Sequence, residues 1–257
     1  MKFEILDKRM RDFETALDQK VISDMYIIAR LDGRGFTKLT KESLPLERPF
    51  DLRFRDATIE VVKHLMDCGF KITYGYTQSD EISLLFDKNE NGFGRKTRKL
   101  LSILAGEASA RFTQVMGTLA VFDCRIIPLP NDDLVADYFR WRAEDAGRNA
   151  LNAWCYWKLR DNGFSVANAT KDLEGKSVAE KNEILFQYGI NYNELPSWQK
   201  RGIGFYYSLI EKKSINPKTN NEITTYRNQL NVREELPKSE AYNLLIKGLL
   251  KTEVKVK

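Results

Sequence analysis

The chain has 257 residues, of which 42% are hydrophobic, 11% aromatic and 30% charged. This composition excludes a disordered protein, and the length fits one large domain or a compact domain with an elaborated second half. No apolar run is long enough to span a membrane and the N-terminus has no secretory signal pattern, so we expect a cytoplasmic protein without a membrane partner.

The first half of the chain alternates patterns typical of helices and strands. Apolar residues at helical spacing favour helices, and short runs of branched and aromatic residues favour strands. We predict, in chain order, helix 7–19, strand 26–31, helix 52–69, strands 70–74 and 82–86, helix 95–116 and strand 119–127.

The order strand, helix, strand, strand, helix, strand is the βαββαβ arrangement of ferredoxin-like sheets and polymerase palms. We therefore predict an α+β protein in which residues 1–130 form a palm-like catalytic core. Residues 131–257 are expected to form a mainly helical extension that packs on the core as one structural unit. Its predicted parts are helices 134–160 and 179–186, strands 204–210 and 223–226, and a polar turn at 216–221.

Two acidic segments lie where strands of this pattern end. Asp32-Gly33 follows the first strand, and Ser79-Asp80-Glu81 follows the hairpin's first strand. Each pair alone is an ordinary turn former, but a palm places these two strand ends side by side. Asp32 and Asp80 would then converge and bind Mg²⁺, which prefers oxygen ligands. Glu81 could be a third ligand, a neighbour that orients a ligand, or a charge that faces water.

Other polar residues offer candidate nucleic-acid contacts. The net charge of +5 favours a polyanionic partner where it is clustered, as at 95–99, where a predicted helix N-terminus also attracts phosphate. Arg95, Asn149 and Asn152 are candidate RNA contacts, although asparagines in helices also satisfy local hydrogen bonds. The four tryptophans could stack on bases, but packing in a helical core is the favoured role for most of them. Three scattered cysteines indicate neither disulfides nor a zinc site.

Three blocks together carry a resemblance to a known family. They are Leu31–Phe36, Gly75–Glu81, and Lys181–Phe186 with Gly189–Asn193. In these blocks, their order and their separation, the chain resembles the tRNA-histidine guanylyltransferase superfamily. That family adds nucleotides to the 5′ end of RNA, opposite in direction to ordinary polymerases, on a palm similar to theirs.

The resemblance implies roles for individual residues. Asp32, the Gly33 carbonyl and Asp80 match ligands of two Mg²⁺ ions. Arg48, Lys96 and Lys99 match basic residues that contact phosphates during catalysis. The nucleotide, ATP, GTP or another NTP, would be held by Asp32, Gly33, Arg34, Gly35, Phe36, Thr37, Ser79 and Asp80. A homotetramer, built as a dimer of dimers, and a tRNA partner are also implied.

One segment departs from the family pattern. Members that act on histidine tRNA have His-Ile-Asn-Asn-Leu-Tyr-Asn-Thr where this chain has residues 147–154, and only Asn149 and Leu151 agree. The resemblance therefore points to the guanylyltransferase-like branch, which repairs 5′-truncated tRNA by template-dependent addition after activation with ATP. The alternatives are guanylate addition to histidine tRNA, a palm-type nucleotidyl cyclase, and a non-catalytic RNA-binding module.

Overall fold

A computed structural model describes residues 1–215 and 222–251, so the predicted turn at 216–221 lies outside the described residues. The strands are β1 Tyr26–Arg34, β2 Ile72–Gln78, β3 Glu81–Phe86, β4 Val121–Leu129, β5 Ile203–Ile215 and β6 Glu222–Arg233. The helices are α1 Phe3–Thr15, α2 Phe36–Lys38, α3 Leu52–Met66, α4 Thr97–Met116, α5 Asp132–Asp161, α6 Val166–Leu173, α7 Val178–Gln187, α8 Ser197–Arg201 and α9 Ser239–Lys251.

The strands form one antiparallel sheet in the order β4-β1-β3-β2-β5-β6. The first four positions, with α3 after β1 and α4 after β3, are the ferredoxin-like palm, which confirms the predicted βαββαβ fold. β5 pairs with β2 and carries β6 beside it. Strands from the second half of the chain therefore extend the sheet built by the first half.

Alternate residues of the central strands face two different helical layers. Ile27, Ala29 and Leu31 of β1 are buried under α3 and α4, whereas Tyr26 and Ile28 are buried under α5 and α9. This alternation follows from the two-residue period of a strand, since each face must be covered by apolar residues. A third apolar cluster joins α5 to α6 and α7.

Several predicted boundaries differ from the observed ones. The first strand does not stop at Asp32-Gly33 but continues through Arg34, and the first helix covers 3–15 rather than 7–19. The sequence patterns did not reveal α6 or α9. Leu52 of α3 and Val115 of α4 are apolar but exposed. Among the described residues, no helix is both long and apolar enough to cross a membrane.

Asp51 caps the N-terminus of α3 and holds the loop before it. Its carboxylate accepts hydrogen bonds from the backbone N–H groups of Arg53 at 2.7 Å, Phe54 at 3.3 Å and Glu47 at 2.7 Å. Burial by itself raises the pKa of Asp51, but the Arg53 side chain and these N–H donors outweigh burial and bring the pKa down to about 2. The ionised carboxylate therefore stabilises the fold.

We expect Asp51→Ala to lower the free energy of unfolding at pH 7 by about 1–2 kcal/mol, the usual cost of losing such a cap. The pKa of Asp51 is lower in the folded than in the unfolded chain, so its contribution disappears as pH falls from about 4 to about 2. Urea titrations across this range test both effects. The exposed Asp56→Ala on the same helix is the control, and a pH-independent difference would contradict this role.

Candidate active site

The two acidic segments meet at one end of the sheet. Asp32 of β1 lies opposite Glu81 of β3 in the strand register, and the Gly33 N–H donates a hydrogen bond to the Asp80 carbonyl oxygen at 3.2 Å. Ser79 has φ 54° in the tight turn before Asp80. The predicted convergence of Asp32 and Asp80 is thus confirmed, because pairing of β1 with β3 fixes both turns.

Gly33 is required by a close approach of an aromatic ring. A Cβ atom at this position would lie 2.4 Å from a ring carbon of Phe36. Phe36 is buried and packs against Phe112 and Phe122, with ring centroids 5.1 and 4.9 Å away. Phe36 is therefore a core residue that also lines the cleft beside Asp80, and its neighbour Thr37 is exposed there.

The carboxylate of Asp80 is the one at this site that no basic side chain of the described residues compensates. Burial, together with the charge of nearby Asp32, raises the pKa of Asp80 to about 6. Within the described ranges Asp80 has no ion-pair partner, while Asp32 Oδ1 lies 3.5 Å from the guanidinium of Arg30. A bound divalent cation would relieve this repulsion, and carboxylate oxygens are ligands that Mg²⁺ accepts. The donor set therefore fits Mg²⁺.

The acidic pair supplies too few side-chain ligands to complete a metal site by itself. The described part of the chain contains no group of three or more His, Cys, Asp or Glu residues that could hold a metal ion. Mg²⁺ commonly keeps one or two protein carboxylates and completes its coordination with water and phosphate oxygens. The pair therefore suits a metal that binds together with a phosphorylated substrate.

Glu81 lies between two arginines, which answers the question left open by its sequence position. Its carboxylate forms ion pairs with Arg30 and with Arg142 of α5. Arg142 is almost fully buried and also lies 3.3 Å from Asp145. Glu81 is therefore a partly buried ion-pair partner of two basic side chains, and it joins the acidic segment to α5.

A cleft of about 390 Å³ opens beside Asp80. Thr37 and Ser79 line one part of it, and the loop held by Asp51 supplies Arg48. The Arg48 guanidinium stacks on Trp157, 4.3 Å from the ring centroid, and donates to the Lys41 carbonyl oxygen at 3.0 Å. A fixed cation and an aromatic face therefore line the same cleft as one carboxylate of the acidic pair.

A second, more polar cavity of about 530 Å³ adjoins the first, with Lys41, Ala153 and Trp157 lining both. Its other lining residues are Asp145, Arg148, Asn149, Asn152, Tyr156 and Lys181. The predicted RNA contacts Asn149 and Asn152 therefore lie on one face of α5, next to the cleft. Lys181, from the third sequence block, lies there too.

The basic residues around position 95 do not reach this site within one chain. Arg95 is buried, and its guanidinium donates to the carbonyl oxygens of Met25 at 2.5 Å and Lys88 at 3.2 Å. Its prediction as an RNA contact is wrong, because those carbonyls occupy the side chain. Lys96 pairs with Asp18 at 2.7 Å, near the start of β1 and roughly 20 Å from Asp32 at strand spacing.

Lys99 lies in the first turn of α4 at the same distant end, where its ammonium lies 5.6 Å from the Phe93 ring centroid. Arg34 is exposed at the end of β1, and Gly35 has φ 72° before α2. The roles assigned to Lys96, Lys99, Arg34 and Gly35 stay predictions. The chain itself brings Phe36, Thr37, Arg48, Ser79 and Asp80 to one cleft, and Asp32 and Gly33 lie next to Asp80.

Some residues of the site gave little signal in the sequence. Trp157 and Trp198 line the cleft, whereas core packing was the favoured role for most tryptophans. Lys41 lines both cavities, but no sequence pattern pointed to it as a site residue. The helical spacing of Arg148, Asn152 and Tyr156 places these polar residues on one face, and that spacing was a usable signal for the second cavity.

Comparisons with known proteins identify the family of this chain. The family described as tRNA(His) guanylyltransferase, Thg1, matches residues 7–130, and the Thg1 C-terminal domain matches residues 133–246. The tRNA(His) guanylyltransferase of Schizosaccharomyces pombe is 33% identical over 193 residues, which cover 71% of this chain and 74% of that protein. The Neurospora crassa enzyme of the same name is 33% identical over 206 residues, 74% of this chain and 70% of that protein.

Solved structures show the same similarity in three dimensions. A bacterial tRNA(His) guanylyltransferase (Thg1)-like protein in complex with GTP has a TM-score of 0.73 and 29% identity, covering 96% of this chain and 99% of that one. The tRNA(His) guanylyltransferase of Saccharomyces cerevisiae has a TM-score of 0.71 and 27% identity, covering 79% and 92%. With its palm and paired acidic turns, the chain belongs to the tRNA(His) guanylyltransferase (Thg1) family of nucleotidyltransferases.

Proposed function

We propose that this protein adds nucleotides in the 3′–5′ direction to the 5′ end of tRNA, and that it repairs 5′-truncated tRNAs under the direction of a template base. One observation carries the proposal: the Gly33–Asp80 hydrogen bond holds two carboxylates together beside a cleft with a fixed cation. Family membership supports nucleotide addition to a tRNA 5′ end.

The proposed reaction has two stages. A tRNA 5′-monophosphate attacks the α-phosphate of ATP, and pyrophosphate leaves. The 3′-hydroxyl of the incoming nucleotide then attacks the activated 5′-phosphate, and AMP leaves. A 5′-triphosphate end needs no activation, because it already carries pyrophosphate as a leaving group. Such phosphoryl transfer depends on positioning and charge compensation more than on covalent help from the protein.

The chain's own residues supply these two requirements. Asp32, Asp80 and the Gly33 carbonyl would hold Mg²⁺, with two ions in the complete site. When bound, Mg²⁺ makes the attacking hydroxyl more acidic and neutralises phosphate charge. Arg48 offers a cation that Trp157 and the Lys41 carbonyl hold in place, so little ordering is needed when a phosphate binds beside it.

Nucleoside triphosphates are the proposed small substrates. The structural neighbours include bacterial Thg1-like proteins in complex with GTP and with ATP. The cleft volume of about 390 Å³ lies within the usual range for ligand sites. Thr37 and Ser79 line the cleft and offer hydroxyl groups for phosphate or ribose oxygens.

The repair activity is proposed over histidine-specific addition because of residues 147–154. Asn149 and Asn152 face the second cavity, whose amides and cations suit RNA bases and phosphates. The segment otherwise departs from the pattern of members that act on histidine tRNA. Guanylate addition to tRNA(His) is the second candidate, favoured by the names of the curated relatives.

We expect a tRNA lacking its first nucleotide to be extended by the nucleotide that pairs with the opposite base. Purified protein would receive Mg²⁺, ATP, each NTP in turn, and 5′-truncated or full-length tRNAs with each template base. Product lengths and 5′ nucleotides give the result. Addition of guanylate to full-length tRNA(His) alone, whatever the opposing base, would instead establish the second candidate.

We expect Asp80→Asn to reduce nucleotide addition by at least about 100-fold, since even residues that only support metal ligands contribute 10–100-fold. The same change is expected to stabilise the metal-free protein above pH 6, by about 3 kcal/mol at most. Ionised Asp80 is disfavoured in the folded state because its pKa is raised to about 6, so this stabilisation vanishes as pH falls towards about 4.

Thermal unfolding in EDTA and nucleotide addition in Mg²⁺ would measure the two opposite effects of Asp80→Asn. The exposed Asp56→Asn is the control for both measurements. If Asp80→Asn kept the activity of the unsubstituted protein, the role assigned to the acidic pair would be wrong. A lower melting temperature in EDTA would contradict the proposed repulsion with Asp32.

A further inference from the structure

Asp32 has a like charge as its direct neighbour in the sheet. It lies opposite Glu81 in the register of β1 and β3, and side chains at opposite positions of an antiparallel pair point to the same face. That face is covered by α5 and α9, and Ile28 of β1 is buried on it. Two carboxylates at this spacing repel each other. Glu81 is therefore a third carboxylate next to the acidic pair.

Two guanidinium groups hold the two oxygens of the Glu81 carboxylate. Arg30 of β1 pairs with Oε1, and Arg142 of α5 pairs with Oε2. Arg30 also lies 3.5 Å from Asp32 Oδ1, so it bridges the two carboxylates. Arg142 pairs with Glu81 but, within the described chain, not with Asp32. Of the two arginines, Arg142 is therefore the one that compensates Glu81 alone.

The packing of α5 fixes the position of Arg142. Its neighbours Phe139 and Ala143 are buried in the apolar layer between α5 and the sheet, and the Arg142 side chain itself is only 4% exposed. The guanidinium carbon lies 4.7 Å from the Trp141 ring centroid, and Asp145 lies 3.3 Å from another guanidinium nitrogen. Arg142 is therefore a buried cation that holds Glu81 on the side of α5.

We propose that Arg142 is a positioning residue that withholds Glu81 from the metal site, so that Asp32 and Asp80 are the carboxylates offered there. A carboxylate held by two guanidinium groups must give up one of these charge-assisted contacts before it binds Mg²⁺. Mg²⁺ suits one or two carboxylates together with phosphate oxygens, and a third carboxylate would repel the phosphates of the substrates. The inference rests on the proposed role of the acidic pair and not on which tRNA is used.

Metal binding without tRNA tests the proposal, because it needs no turnover. Mn²⁺, which suits the same oxygen ligands as Mg²⁺, is titrated into the metal-free full chain and the free ion is measured by electron paramagnetic resonance. We expect Arg142→Met to bind Mn²⁺ at least about tenfold more tightly, because the released Glu81 carboxylate adds negative charge beside the ion. Nucleotide addition in Mg²⁺ is expected to slow at least about tenfold, because the same charge repels the substrate phosphates. A purely structural role of Arg142 would weaken both.

The same substitution in a Glu81→Gln background shows whether Arg142 acts through Glu81. There we expect Arg142→Met to change the Mn²⁺ affinity less than about threefold, because no carboxylate is released. Arg140→Met is the control, since it removes a cation from a more exposed position of the same helix, where Arg140 pairs with Asp137 at 3.1 Å. Equal tightening in both backgrounds would show a long-range effect of charge and overturn the proposal. Unchanged or weaker binding by Arg142→Met alone would overturn it too.

Glu81→Gln by itself tests the proposal even where Arg142→Met does not fold, which thermal unfolding would show. Glutamine has the same shape as glutamate. We expect Glu81→Gln to weaken Mn²⁺ binding no more than about threefold, because Glu81 is not a ligand, whereas Asp80→Asn weakens it at least about tenfold. Equal losses in these two variants would make Glu81 a ligand and overturn the proposal. Unchanged binding by Asp80→Asn would overturn the role of the acidic pair itself.

Discussion

The pairing of β1 with β3, closed by the hydrogen bond from Gly33 N–H to the Asp80 carbonyl, is the constraint on which the site depends. A shift of this register by one residue would turn every side chain of β1 to the opposite face. Leu31 would leave the apolar layer under α3 and α4, and Asp32 would leave the acidic pair. The same packing that stabilises the sheet therefore fixes the carboxylates.

Helix α5 is the second element that organises the site. It carries Arg142, which pairs with Glu81 behind the acidic turn, and Asp145, which pairs with Arg142 and Arg148. Further along, Asn149 and Trp157 line the cavities. Arg142 and Trp157 are 15 positions apart, about 22 Å along a helix. One rigid element thus relates the acidic turn to the surfaces proposed for RNA and nucleotide.

The sequence predicted the palm and the acidic pair because both depend on strong local patterns. Apolar runs end at Asp32-Gly33 and near Ser79-Asp80, and a known strand order then brings these ends together. The burial of individual polar side chains could not be predicted in this way, because it depends on partners that are distant in the sequence. Arg95 resembles a surface cation in the sequence. In the structure it is buried, and its guanidinium donates hydrogen bonds to the carbonyl oxygens of Met25 and Lys88. Trp157 enters the cleft only because the loop carrying Arg48 folds against α5.

Gly33 lies beside the acidic pair, yet the fold itself requires a glycine at this position. Any larger residue would collide with Phe36, which the core needs, so a descendant that had lost its activity but still folded would be under pressure to retain this glycine. The two carboxylate residues of such a descendant could be replaced without disturbing this packing. Glycine at this position would therefore reflect the packing of Phe36 and not activity, and only the acidic pair beside it would distinguish an active enzyme from an inactive one.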